Sequence, residues 1–114
     1  MHEVGLCEDV LDAVLRRADG RKVTGVRVRV GALHHVSDAS FEQAFQVVSI
    51  GTEAENAVVD LVHVPVRVRC RGCLAETESN ELVVVCPTCL ASELDVVAGD
   101  ELLLESIALA ATAG

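Results

Sequence analysis

The chain has 114 residues, 51% of them apolar but only 2% aromatic, and a formal net charge of −9. Such a length suits one domain, or a domain with a small inserted module, whose core must come from Val, Leu, Ile and Ala. The negative balance opposes phosphate binding, which needs Lys and Arg to displace counterions, so nucleic acid is not an expected partner.

From Val4 to Ala18, Leu6, Val10, Leu11, Val14 and Leu15 recur at helical spacing, while Glu8, Asp9, Asp12 and Arg16 take the opposite face. Cys7 lies on the apolar side and reads as a small core residue. Gly20 is expected to end this helix. The acidic first twenty residues lack the basic start and unbroken apolar stretch of a signal peptide. No apolar run approaches the ~18 to 20 residues of a membrane span. A cytoplasmic protein is expected, and in the reducing cytosol its five cysteines point to metal binding before disulfides.

Next, "RKVTGVRVRVGAL" alternates Val26, Val28 and Val30 with Arg27 and Arg29, the period of a strand with one buried face, and Gly31 begins its exit. "SDASFEQAFQVVSIG" offers Ser37, Asp38 or Ser40 as an N-cap, then Phe41, Ala44, Phe45 and Val48 at helical spacing, with Gly51 as terminator. "NAVVDLVHVPVRVRC" resumes strand alternation, and Pro65 confines it to an edge or a bulge. Toward the end, "ELDVVAGDELLLESIALA" reads as two strands joined by a tight turn at "AGD". The order predicts an α+β fold, two helices packed on a small mixed or antiparallel β-sheet, with a four-cysteine, zinc-ribbon-like lobe inserted. Residues 1–68 and 92–114 make the discontinuous main domain, and 69–91 the lobe.

"CRGC" at Cys70 to Cys73 and "CPTC" at Cys86 to Cys89 form C-x2-C-x12-C-x2-C, the strongest motif in the chain. Two residues between thiolates let one short turn aim both sulfurs at an ion, and two such turns supply the tetrahedral set of a closed structural zinc site. Gly72 and Pro87 are suitable turn residues. Iron held by four thiolates uses the same ligand type, and a reversible dithiol switch uses the same residues, so both stay open. Zinc ribbons often bind nucleic acid, but "LAETESNELVVV" between the pairs holds Glu76, Glu78 and Glu81 and no basic or aromatic residue.

His2 follows the terminal residue, Met1. A terminal amine, the next backbone nitrogen and the imidazole of the second residue can close fused chelate rings around a square-planar ion, nickel(II) or copper(II). The plainer reading is a frayed terminal histidine.

Taken together, "MHE" opening a helix, "VTGVRVRVGAL", "FEQAF", "GDELLLESI" and the paired C-x2-C motifs resemble the HypA/HybF family of hydrogenase nickel-incorporation proteins, over nearly the whole chain. The resemblance implies a nickel metallochaperone with a structural zinc module, working with a nickel-handling GTPase to load the [NiFe]-hydrogenase large subunit during its maturation. The resemblance leaves open whether urease is also supplied with nickel. It makes the main domain the nickel-binding one, His2 the principal nickel ligand with the Met1 amine and nearby backbone nitrogens, and Glu3 a neighbour that influences transfer. Cys70, Cys73, Cys86 and Cys89 become zinc ligands.

The chain departs from the family pattern at "GALHHV", where Ala32 replaces a more usual acidic residue and His34 and His35 are local additions. These two are expected to be solvated loop residues, with extra metal ligands as the alternative. His63 is expected to be a surface or packing residue. No histidine follows either C-x2-C pair, so no pH-responsive Cys/His site is expected. Carriage and not catalysis is the expected role, in a monomer or weak homodimer. The alternatives are a general zinc-ribbon protein-interaction module and a small tetrathiolate iron redox protein.

Overall fold

A computed structural model describes residues 2–111, with His2 described in its backbone alone. Two compact units divide the chain.

The first unit comprises Met1–Arg29, Val36–Val62 and Leu103–Gly114. Its helices, α1 (His2–Ala18) and α2 (Asp38–Val48), pack on each other. Cys7, Val10, Val14 and Ala18 of α1 are buried, a helical row lying slightly to one side of the expected one because Leu6, Leu11 and Leu15 are only half-buried. Phe41 and Phe45 of α2 are fully buried and stack with ring centroids 6.4 Å apart. Of the three candidate caps, Ser37 starts α2: its Oγ accepts from the Ser40 amide at 3.2 Å. Gly51, at φ +81, follows the end of this helix. Strands β1 (Val23–Gly31), β2 (Val58–Val64) and β6 (Leu102–Leu109) form one sheet in the order β2-β1-β6. On β1, Val26, Val28 and Val30 are buried and Arg27 is exposed, as the alternation requires. Arg27 and Arg29 pair with Glu105 across the strands at 3.6 and 3.1 Å.

The second unit comprises Val30–His35 and His63–Leu102, so the expected lobe, 69–91, lies within it. Strands β3 (Val66–Cys70), β4 (Glu76–Ser79) and β5 (Leu94–Ala98) form a separate sheet in the order β4-β3-β5, antiparallel throughout. Val66, Val68 and Cys70 point inward, and Arg67 and Arg69 outward. Arg69 stands opposite Glu76 and pairs with it at 2.9 Å, while Arg71 reaches Asp95 at 2.7 Å, so charged pairs brace β3 to both neighbours.

Two sheets replace the single sheet anticipated from the sequence, and Pro65 is where they divide. Val59 of β2 is buried and Val58 exposed, whereas even-numbered Val66 and Val68 are buried in β3. The inward face therefore changes phase across Pro65, which has no amide to donate to a ladder. The "AGD" turn joins strands of different sheets and closes no hairpin: β5 lies with β3, and β6 with β1.

Candidate metal centre

The second unit brings together four thiols from two knuckles. Cys70 ends β3 and Cys73 follows in a turn, while Cys86 and Cys89 span a second turn ahead of β5. All four Sγ atoms lie within 4.8 Å of one another, with Cys70 to Cys89 at 3.5 Å and Cys73 to Cys86 at 3.6 Å. Tetrahedral zinc at a Zn–S length of ~2.3 Å needs sulfurs about 3.8 Å apart, so the two closest pairs stand near the spacing of a closed four-thiolate ion.

The knuckles share one hydrogen-bond pattern. The amide of Cys70 donates to the Ala75 carbonyl and that of Leu74 to the Cys70 carbonyl, both at 2.9 Å; Cys86 to Ala91 and Leu90 to Cys86 repeat this at 2.8 Å. Each loop closes through a leucine with positive φ, Leu74 at +64 and Leu90 at +67. The first thiol of each pair is buried and the second exposed. The Cys73 amide, joined by that of Gly72, turns toward the Cys70 sulfur and lowers its thiol pKa; burial opposes this. The Cys89 amide, with that of Thr88, does the same for Cys86, which falls to about 6. At Cys89 the Ala91 amide favours the thiolate, but the Cys70, Cys73 and Cys86 sulfurs and burial outweigh it and push the thiol up to about 12. Four crowded sulfurs do not all ionise on their own; a cation among them removes that conflict.

Among the described residues, these cysteines are the one group of His, Cys, Asp or Glu that converges as a metal site. Met1 and the His2 side chain lie outside the described residues, and Glu3 sits half-buried in the first turn of α1. His34 belongs to a single 3-10 turn, Ala32–His34, and its Nε2 lies 3.0 Å from the Asp100 carbonyl. A carbonyl only accepts, so that nitrogen carries the proton in this contact. His35 is exposed at φ +53, and His63 is exposed on β2. Cys7 is buried in the first unit, far in role from the other four, with its thiol 3.6 Å from the Phe41 carbonyl. The turn that aims each pair of sulfurs at one point was implied by the C-x2-C spacing, whereas nothing in the residue types announced the left-handed leucines.

Residues 1–109 match the family described as hydrogenase/urease nickel incorporation, metallochaperone, hypA. The chain belongs to the HypA family. The hydrogenase maturation factor HypA of Geotalea daltonii is 34% identical over 107 residues, covering 94% of this chain and 97% of that protein. The hydrogenase maturation factor HybF of Escherichia coli is 32% identical over 110 residues, with 94% and 97% covered. The solution structure of the Ni metallochaperone HypA from Helicobacter pylori superposes with a TM-score of 0.69 at 23% identity, covering 98% of this chain and all of that one. That likeness concerns the fold: two helices, small sheets and a four-cysteine lobe are the HypA architecture. No helix among the described residues is long and apolar enough to cross a membrane.

Proposed function

We propose that this protein is a cytoplasmic nickel carrier of [NiFe]-hydrogenase maturation, binding nickel(II) at its N-terminus and zinc(II) in its cysteine lobe. Family membership over residues 1–109 is the observation that carries the reading. Nickel is cargo here. His2, with the Met1 amine and nearby backbone nitrogens, is the proposed donor set, which suits a square-planar ion; Glu3 lies beside it and influences release. A nickel-handling GTPase and the hydrogenase large subunit are the proposed partners. Cys70, Cys73, Cys86 and Cys89 are the proposed zinc ligands, and the sulfur spacing of 3.5 and 3.6 Å supports a closed site with no position open for substrate. The lobe, 69–91, is thereby structural and the remainder, 1–68 and 92–114, handles nickel. Chemistry on the large subunit is left to others, and the role is carriage without catalysis.

Metal analysis of the untagged protein tests this directly. As purified it should hold about one zinc per chain, and after added nickel and desalting about one nickel as well, in line with two separate donor sets. Iron with visible absorption in the purified protein would favour the redox reading, and failure to retain nickel beside bound zinc would favour the interaction module.

A further inference from the structure

A groove of about 460 Å³ runs between α2 and β2 in the first unit. Ala39, Glu42 and Gln43 line its helix side, and Ala57, Val58 and Val59 its strand side. Gln46 crosses its end and donates through Nε2 to the Ala57 carbonyl at 2.9 Å, which fixes the chain where it enters the strand.

Strand β2 is the outer member of the order β2-β1-β6, so β1 fills one side of its ladder and, among the described residues, no strand fills the other. An uncovered edge is a template for another chain, and proteins usually blunt it with Lys, Pro or a bulge. The segment Val58–Val62 reads VVDLV, with no Lys and no Pro; its one charge, Asp60, is paired with Arg27 of β1 at 3.6 Å, and Pro65 comes only after the strand ends. Val58 is 71% exposed at the rim. Val47, one helical turn past Gln43 on α2, is 64% exposed. A bare strand edge beside a helix-walled groove suits an extended peptide, whose main chain pairs with the strand while alternate side chains enter the groove.

The charge pattern selects the occupant. Among the described residues, Glu42 is the one charged side chain lining the groove and no basic group lines it, and the whole chain carries −9. A second copy would bring another chain of the same −9 charge to this edge, which like-charge repulsion disfavours. We propose that the α2–β2 groove receives an extended segment of a partner protein, apolar residues alternating with basic ones, as an added strand on β2.

The test uses full-length, metal-loaded protein, isotope-labelled for NMR, and an acetylated heptapeptide that alternates valine with lysine and threonine. Saturable shifts should fall on the amides of residues 58–62 and 39–47. N-methylation of alternate peptide amides should abolish them in one phase and leave them in the other, because only one set faces the strand. Glu42→Lys, an exposed helix-surface change compatible with the fold, should weaken binding at least ~10-fold. The proposal is overturned if the peptide gives no saturable shift at millimolar concentration, if both methylated phases bind equally, or if shifts centre on Gly25, Ser106 and Ala108 across the outer face of the sheet. It is equally overturned if residues 58–62 shift with protein concentration when no peptide is present, since a second copy then occupies the edge.

Discussion

Gly99 stands so close to Val66 that a Cβ added to it would lie 2.6 Å from the Val66 Cα, and its φ of +109 is one that L side chains rarely adopt. The end of β5 thereby crosses the start of β3 with no room for a side chain. The same turn receives the amide of Leu33 on the Gly99 carbonyl at 2.9 Å and donates its own to Glu101 Oε1 at 2.7 Å. Gly99→Ala should cost at least ~2 kcal/mol, from backbone strain and overlap together. Urea unfolding of the metal-loaded protein measures it; a loss under ~0.5 kcal/mol, the usual range for a harmless surface change, would contradict the crossing.

Removing one zinc ligand should disorder the lobe and spare the first unit. A structural metal supplies folding free energy, so Cys73→Ala should lose tightly bound zinc and show faster hydrogen exchange across residues 70–91. Exchange at Cys7, Val14 and Phe45, all buried in the first unit, should stay slow. Retained zinc with unchanged exchange in the lobe would remove Cys73 from the ligand set.

Cys7 should behave as a core thiol. Burial, with the Glu3 carboxylate adding to it, pushes its pKa from 9.0 up to about 11. The folded state then holds this proton more tightly than the unfolded state. Its contribution to stability is complete below pH 9 and is lost as the pH rises through about 11. Cys7→Ala should cost roughly 1 kcal/mol at neutral pH and should flatten the decline in stability over that alkaline interval. A thiol reagent that labels Cys7 in the folded protein as fast as in urea would contradict its burial.

Asp95 should titrate below the ordinary aspartate range, because the Arg71 guanidinium beside it donates to Oδ1 through both Nε and Nη2. The stabilisation is present above the ordinary value and is lost as the pH falls through the depressed one. In Arg71→Ala the Asp95 carboxyl, followed by carbon NMR, should move upward; no movement would mean that the pair is not held in solution.

Much of this fold was legible because the patterns were local. The apolar row of α1, the cap at Ser37 and the Val/Arg alternation of β1 each follow from neighbours within a few residues. The knuckles were legible for a similar reason, since C-x2-C closes a turn by itself and only the meeting of the two pairs is long-range. What stayed hidden depends on pairing across the chain. "VVDLVHVPVRV" has valine in both phases, so the buried face could not be read from residue type, and the handover between sheets at Pro65 went unseen. Strand β4, "ETES", contains no apolar residue and is recruited by the arginines of β3 opposite it. Leu74 and Leu90 take a conformation that favours glycine because the hydrogen bonds closing each knuckle demand it.

The most direct test of nickel carriage is calorimetric titration of nickel(II) into untagged protein beginning at Met1, compared with His2→Ala and with a variant carrying one extra residue ahead of Met1. The substitution removes the imidazole donor, and the extension moves the free amine out of the fused chelate. Both should weaken nickel binding at least ~100-fold, about 2.7 kcal/mol, with zinc content and thermal stability nearly unchanged. Wild-type affinity in both variants, together with loss of binding in a His34→Ala, His35→Ala double variant, would move the nickel site to the "GALHHV" segment and contradict the account.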